Sequence, residues 1–377
     1  MPFSDPYEAC GKQRRLSIVI PCFNEEKTLE HCVRKVCEIA SEKLSLEIII
    51  VDDASSDESL TIARGIESTC PEVTVLSHGN NKGKGAALRT GFQQATGDFV
   101  AIQDADLEYN PMEFRKLLIP LIQGDADVVL GSRFLSGEPK RVLYFWHAMG
   151  NRFLTFVSNM FTDLNLTDME TCYKVFRKDI LQKIETRESR FGIEPELVAK
   201  IAQMRLRIYE MGISYRGRTY AEGKKIGVKD GFRALYCIFR YNAHRAPLPI
   251  QFLLYLFIGG TSAVVNLICF LALIGIGLET YFSAPAAFLI AAMVNYLLCV
   301  RLLFRRNVYW KSFTESLVFL LVVAVVCGVD LTATSLLLQM EMSPGSSKAM
   351  ASAIGLLLNF LGRRFIVFPE PSIGPWT

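Results

Sequence analysis

The residues best suited to chemistry lie together at 104–108, where Asp104-Ala-Asp106-Leu-Glu108 follows the apolar run FVAI after the single residue Gln103. Two aspartates one residue apart at the mouth of a buried strand suit a hard divalent cation, Mg²⁺ or Mn²⁺. Such ions take one or two carboxylates and complete their shell with water and phosphate oxygens. An acidic helix start before Pro111 would account for Glu108 by itself, but not for the two aspartates. Three further polar clusters have the same character: Asn24-Glu25-Glu26, Asp52-Asp53, and Asn80-Asn81-Lys82-Gly83-Lys84. In the last, Gly83 and the following Gly85 lack the third fingerprint glycine, and no Gly-Lys-Ser/Thr follows. It is therefore neither a dinucleotide motif nor a P-loop. A glycine turn with Lys82 and Lys84 at a helix start still suits an anionic ligand.

Elements that could bring these clusters together are readable from the apolar pattern. Residues 16–23 (LSIVIPCF), 46–51 (LEIIIV), 73–76 and 98–103 read as short buried strands. Helix-forming stretches at 25–42, 59–68 and 84–95 separate them. Strand–helix alternation of this kind predicts an α/β domain with a parallel sheet. Ligands of such sheets bind beyond the carboxyl ends of the strands. Each polar cluster stands at or just after such an end, so four clusters are expected to converge on one edge.

The second part of the chain is of another kind. Of the 377 residues 50% are apolar, and they concentrate after position 248. Residues 250–277, 282–304, 313–340 and 349–368 are each near or above the ~20 residues that cross a bilayer. Arginines before the first run (Arg240, Arg245), between the second and third (Arg301, Arg305, Arg306) and closing the fourth (Arg363, Arg364) predict that both termini lie in the cytoplasm. Asn295-Tyr-Leu and Asn359-Phe-Leu share an offset of 64, as do Asn266 and Asp330, and Phe304 and Phe368, which predicts a duplicated two-helix hairpin. Polar groups in such spans are expected to face the bundle interior. The formal charge of +3 gives no argument for nucleic acid. Ten scattered cysteines without a CxxC pair point to free thiols in a reducing compartment. The first 15 residues lack an apolar core segment, which predicts no signal peptide.

The motifs SIVIPCFNEE, IIIVDDASSD, NNKGKGAALRTG, IQDADLEYNP and GSRF stand in an order and spacing that resembles family 2 glycosyltransferases of the GT-A fold. The set looks most like polyprenyl-phosphate glycosyltransferases, including dolichyl-phosphate mannose synthases. The four-span region resembles the membrane domain of some of these enzymes and of O-antigen glucosylation systems. The resemblance implies transfer of a hexose from a nucleotide sugar (GDP-mannose or UDP-glucose) to a polyprenyl phosphate, metal-dependent and inverting. It implies nucleotide contacts from Pro21, Phe23, Glu25, Asp52 or Asp53, and Lys84. It makes Asp104 and Asp106 the metal and diphosphate motif, with Glu108 in place of a frequent Gln, and Arg133 a phosphate-binding arginine. Arg218 and Lys225, in YRGRTYAEGKKIG, match a segment that closes over donor and acceptor, and the Asp168 segment resembles an acceptor-side element.

The chemistry read from the residues agrees with this. Breaking an anomeric C–O bond builds charge on a leaving diphosphate, which a metal at Asp104 and Asp106 would stabilise. A phosphate acceptor, with a second pKa of about 6, needs cationic clamping rather than a general base. Aromatic residues recur at helical spacing over 141–164, with Arg152 as a second candidate for the acceptor phosphate, and again over 228–247. Core packing would produce the same pattern, but basic aromatic helices just before a membrane span suggest interfacial ones. The expected layout is a cytoplasmic GT-A domain at 1–227, a juxtamembrane helix at 228–247, four membrane helices at 248–368 and a tail at 369–377. The expected location is the plasma or inner membrane, with self-association possible. Two other readings remain. A processive polysaccharide synthase would usually carry Gln-x-x-Arg-Trp, which the contexts of Trp146, Trp310 and Trp376 do not supply. A lipid-sugar flippase or scaffold with a cytoplasmic domain that only binds would shift the function to the membrane half.

Overall fold

The computed structural model describes residues 13–135, 137, 139–142, 144–219, 227–303 and 312–369. They form two compact units that divide between Asn242 and Ala243. In the first unit the strands are β1 (Arg14–Cys22), β2 (Leu44–Asp52), β3 (Val73–Ser77), β4 (Phe99–Ile102), β5 (Val128–Ser132), β6 (Lys174–Arg177) and β7 (Ile208–Gly212). The helices between and after them are α1 (Leu29–Cys37), α2 (Ser59–Thr69), α3 (Lys84–Gln94), α4 (Glu113–Leu117), α5 (Ile119–Ile122), α6 (Phe145–Thr162), α7 (Lys178–Leu181), α8 (Ile193–Gln203) and α9 (Val228–Asn242).

The sheet order is β3-β2-β1-β4-β6-β5-β7. β1 pairs in parallel with β2 and β4, and β2 with β3, so the first four strands have the geometry their apolar runs predict. Leu16, Ile18, Val19 and Ile20 of β1 and Ile48 through Val51 of β2 are fully buried, as expected of strands covered by helices on both faces. α3 lies so close to β1 that a Cβ at Gly91 would collide with Cγ1 of Val19.

The expectation of a purely parallel sheet needs correction, because β6 runs antiparallel to both β4 and β5. The chain leaves the carboxyl end of β5 through the 18-residue helix α6. It returns from that same edge into the slot between β4 and β5, so β6 can only run the other way. This puts the residues preceding β6, rather than those following it, at the edge where the other strands end.

The second unit holds four α-helices among the described residues: α10 (Leu248–Gly275), α11 (Thr280–Leu298), α12 (Ser312–Gln339) and α13 (Pro344–Gly362). α10 and α12 are long and apolar enough to cross a membrane, with mean hydropathy of 2.2 and, for Leu317–Gln339, 2.4. The duplication is visible in the elements themselves. α10 and α12 have 28 residues each, α11 and α13 have 19, and π-helical turns follow at Cys299–Leu303 and Arg363–Val367. α13 and its π-helical turn begin 64 positions after their counterparts in the first hairpin, and α12 ends 64 positions after α10. Arg363 sits where the two copies meet. Its Nη1 donates to Asn295 Oδ1 (2.8 Å) and its Nε to Asn359 Oδ1 (3.1 Å), the paired asparagines of the repeat. Its guanidinium lies 5.6 Å from the Tyr255 ring and 4.8 Å from the Phe319 ring, again equivalent positions. In the first copy Cys299 stands at the arginine's position, with its Sγ 3.8 Å from Nη1. Asp330 lies on α12 with its side chain outside the described ones.

Candidate active site

A cavity of about 770 Å³ lies at the carboxyl ends of β1 and β4. The turns that shape it are tight. Asn24, Ala54 and Leu107, just beyond β1, β2 and β4, have φ of 52°, 59° and 62°. A non-glycine residue held in the left-handed region costs free energy that the surrounding structure must offset, a condition common at functional sites. The left-handed Leu107 separates Asp106 from Glu108 and lets the Glu108 N–H donate back to Asp106 Oδ1 (3.2 Å). Behind the motif, Tyr173 Oη donates to Gln103 Oε1 (2.6 Å), and the Gln103 amide donates to the Asp104 carbonyl (2.8 Å).

Each carboxylate of the motif faces a cation. Asp104 pairs with Lys84 Nζ at 2.8 Å, and Asp106 Oδ2 with Arg218 Nη2 at 2.8 Å. Glu108 accepts from Tyr215 Oη (2.6 Å) and from the Arg218 backbone N–H (2.9 Å), which uses both its oxygens. Arg218 also reaches Glu25 at 3.5 Å. Glu108 thus ties the metal motif to the segment from Tyr215 to Arg218. Among the described residues no three His, Cys, Asp or Glu side chains are gathered as metal ligands.

The pair Asp104 and Asp106 nonetheless fits a divalent cation. Eight carboxylates and four Lys or Arg side chains line the cavity, so it carries a negative surplus. Burial, reinforced by the charges of Asp104 and Glu108, pushes the Asp106 carboxyl up to about 7. Cationic charge added beside it relieves that repulsion.

The other expected residues fall into distinct places. Pro21, Phe23 and Glu25 line the cavity, as do Asp53, Lys84 and Arg133. Asp53 is also a brace: its carboxylate accepts from the N–H groups of Lys82 (2.9 Å) and Gly83 (2.6 Å) and binds His78 Nδ1 (2.6 Å). That bracing holds the glycine turn whose φ at Gly83 is 94°. Asp52 is buried, caps the Ser55 N–H (3.2 Å) and does not line the cavity. Arg152 is exposed on α6 and does not line it either; His147 and Asn151 of the same helix do. Lys225 lies outside the described residues.

Arg133 is held rather than free. Asp168, fully buried, accepts from its backbone N–H (3.0 Å), its Nε (2.7 Å) and its Nη2 (2.7 Å). Burial works against the Arg133 charge, but Asp168 outweighs it and raises the guanidinium well above its usual range. Glu194 at the start of α8 is the partner that sequence reasoning missed. It pairs with Lys84 (3.1 Å) and with the fully buried Lys174 (2.8 Å), coupling the metal motif to β6. The signal for it is a charged residue inside an apolar run, GIEPELVAKI, which becomes informative only once the fold brings α8 to the strand ends.

α6 presents a strongly apolar outer face. Trp146 is 81% exposed, and Phe145, Phe153 and Phe156 are exposed with it. Phe161 near its end packs edge-on to Phe239 of α9 (5.0 Å), and α9 exposes Phe232 and Tyr236.

The fold of this domain is shared with glucosyl-3-phosphoglycerate synthase from Mycobacterium tuberculosis. Its structure with Mn²⁺, UDP and glucosyl-3-phosphoglycerate matches with a TM-score of 0.50 at 19% identity, over 64% of this chain and 85% of that one. A second, with Mn²⁺ and UDP-glucose, matches at 0.51 and 18%, over 64% and 84%. Residues 17–185 match the model of the glycosyl transferase family 2, and residues 254–368 that of the GtrA/DPMS transmembrane domain. The chain therefore joins a family 2 glycosyl transferase domain to a GtrA/DPMS transmembrane domain and is an integral membrane protein.

Among curated relatives, the dolichol-phosphate mannosyltransferase of Pyrococcus furiosus is 28% identical over 216 residues, 56% of this chain and 60% of its own. The low-salt glycan biosynthesis hexosyltransferase Agl6 of Haloferax volcanii is 29% identical over 220 residues, 58% of this chain and 51% of its own. The UDP-N-acetylglucosamine–dolichyl-phosphate N-acetylglucosaminyltransferase of Methanococcus voltae is 25% identical over 236 residues, 58% of this chain and 92% of its own. The chain thus spans half to three-fifths of the first two relatives.

Proposed function

We propose that this protein transfers a hexose from a nucleotide sugar to the phosphate of a membrane polyprenyl phosphate, with inversion at the anomeric carbon and with Mg²⁺ or Mn²⁺ at Asp104 and Asp106. The observation that carries the reading is one cavity that joins these two aspartates to Lys84, Arg133 and Arg218 and is lined on another side by Trp146 and Phe153 of α6. The names of two curated relatives support a lipid-phosphate acceptor, one of these also a nucleotide-sugar donor, and the third name supports hexosyl transfer.

In this reading Pro21, Phe23, Glu25 and Asp53 form the nucleotide end of the cavity, and Lys84 stands beside the donor diphosphate. A divalent cation, when bound, supplies positive charge to the leaving diphosphate. Arg133, fixed by Asp168, is a preoriented cation for the acceptor phosphate, and its orientation need not be bought at the moment of reaction. An oxygen of that dianion forms the new bond to the anomeric carbon as the bond to the diphosphate breaks, so no side chain has to take a proton. Arg218, just before residues 220–226, ties Asp106, Glu108 and Glu25 together and is placed to exchange those carboxylates for phosphate. The exposed aromatic faces of α6 and α9 lie at the headgroup level, bringing the lipid phosphate to the cavity. All four helices of the second unit span the bilayer, with both termini on the cytoplasmic side.

The test uses purified full-length protein in detergent with Mn²⁺ or Mg²⁺, a long-chain polyprenyl phosphate, and GDP-mannose, UDP-glucose or UDP-N-acetylglucosamine. Mass spectrometry then looks for the lipid-phosphate sugar. Asp104→Ala and Asp106→Ala are expected to lower its formation by about a hundredfold or more. Formation undiminished in both variants would refute the site, and no product with any donor would refute the reaction.

A further inference from the structure

We infer that Glu170 is the residue that recognises the transferred sugar, its carboxylate accepting a hydrogen bond from a hydroxyl of the donor hexose. The inference rests on the proposed transferase reading and deepens it by adding a specificity residue.

Its first support is placement. Because β6 is antiparallel, the segment just before it lies at the edge where β4 ends, next to Asp104 and Asp106 and away from the β1–β2 nucleotide end. Glu170 lines the cavity there. The second support is how firmly the segment is held. Lys174 Nζ, fully buried, grips the carbonyls on both sides of Glu170, those of Met169 (3.4 Å) and Thr171. The Met169 N–H donates to Thr155 Oγ1 (3.1 Å) and the Cys172 N–H to Tyr109 Oη (3.3 Å). Asp168 is locked on Arg133, and its N–H donates to Glu210 (3.0 Å). Backbone and neighbours are thus pinned from four directions.

Amid these contacts the Glu170 side chain has none. Its Oε1 is shut off from water and accepts no hydrogen bond, and no ion pair to a described residue involves this carboxylate. Leaving Oε1 without a donor is costly, and the residue is only partly buried: its other oxygen, also without a hydrogen bond, is not shut off, so the rigid loop offers that oxygen to something absent from the free protein. Burial, with the charge of Glu194, pushes its carboxyl up to about 7, which agrees with a group lacking a donor.

Charge selects the ligand portion. Asp168 and Glu194 are neutralised by Arg133 and Lys174, so the charge a ligand meets at this point is that of the unpaired Glu170 carboxylate, which disfavours a phosphate, whereas a neutral polyol loses nothing there and supplies hydroxyl donors. Two parts of a nucleotide sugar are neutral polyols joined to the diphosphate, the ribose and the transferred sugar; the ribose stays with the base at the β1–β2 end, which leaves the sugar for Glu170. Recognition by a site built around a substrate hydroxyl discriminates strongly against analogues without it.

The experiment is calorimetric titration of the full-length protein in detergent with Mn²⁺, using UDP, UDP-glucose, GDP and GDP-mannose. Glu170→Gln, close in shape, is expected to leave the affinity for the nucleoside diphosphate unchanged. It is expected to weaken binding of the matching nucleotide sugar about tenfold or more, as loss of a hydrogen bond to a charged group does. A donor lacking the contacted hydroxyl should bind wild type as weakly as the intact donor binds the variant, and should lose nothing further in Glu170→Gln. Glu170→Asp, which keeps the charge, should retain part of the preference. Equal weakening for nucleotide and nucleotide sugar, no weakening of either, or a loss confined to polyprenyl phosphate binding would each overturn the assignment while leaving the transferase reading standing. Failure of wild type to bind any of the four ligands would overturn both.

Discussion

Replacing Asp168 by Asn removes one charge from an ion pair that is out of water on both sides. Asp168 is 0% exposed and Arg133 9%, and three hydrogen bonds connect them. The variant keeps one acceptor oxygen, but its amide nitrogen faces a guanidinium donor, and Arg133 is left buried with its charge uncompensated. Breaking a buried pair from one side costs about 3–5 kcal/mol. For a unit of this size roughly 2–4 °C of melting temperature accompanies each kcal/mol, so a fall of about 6–20 °C is expected. Calorimetry of the full-length protein in detergent would follow the transition of the first unit. The double variant Arg133→Met with Asp168→Leu removes both charges and is expected to melt above Asp168→Asn, because no unpaired ion remains. A fall of less than about 2 °C for the single variant, or a double variant as unstable as the sum of both singles, would refute the account of a pair held by burial.

Other outcomes follow from single features. Gly91→Ala drives a methyl into Val19 and is expected to lose about 1–3 kcal/mol by forcing α3 off β1, read from the same melting transition. A variant as stable as wild type would show that the helix can shift freely. Glu47 accepts from Ser17 Oγ, the Thr96 N–H (2.7 Å) and Thr96 Oγ1 (2.6 Å); burial opposes its charge, but these bonds prevail and hold its carboxyl below the usual range. Its stabilisation is complete above the unfolded value of about 4.3 and is lost as pH falls through the folded value. The gap in urea midpoint between wild type and Glu47→Gln should therefore be widest at neutral pH and close in acid; a gap constant with pH would contradict this. With Trp310 and Trp376 changed to Phe, Trp146 is the only tryptophan of the chain. In proteoliposomes carrying brominated lipid its fluorescence should be quenched, whereas unquenched emission would put the exposed face of α6 in water.

Legibility in the sequence followed locality. β1 to β4 are continuous apolar runs ended by polar clusters, so strand, direction and ligand edge could all be inferred from neighbouring residues. β6 has only four residues, KVFR, and its antiparallel direction depends on where α6 lets the chain return, which no local pattern encodes. The site divides the same way. Asp104, Asp106 and Lys84 were visible as residue types at a strand end and a helix start, and Arg133 through the resemblance that GSRF carries. Their partners were not: Asp168 is 35 positions from Arg133, and Glu194 meets Lys84 only because α8 packs at the same edge. Glu170 stayed hidden because an unsatisfied acceptor is defined by what fails to surround it. The 64-residue repeat was legible in the membrane half because exact duplication is a pattern in sequence, whatever the solvent.

The arginine shared between the two hairpins, Arg363, has a consequence for assembly. Two hairpins of nearly the same architecture could pair in three ways, yet only the mixed pairing puts one guanidinium between two carboxamides. Two copies of the second hairpin would oppose two guanidiniums where Arg363 now meets Cys299, and two copies of the first would leave the asparagines with no cation to share. The bundle is therefore heterodimeric in its logic although it is a single chain: separately expressed halves would be driven to find each other, and neither would be complementary to itself.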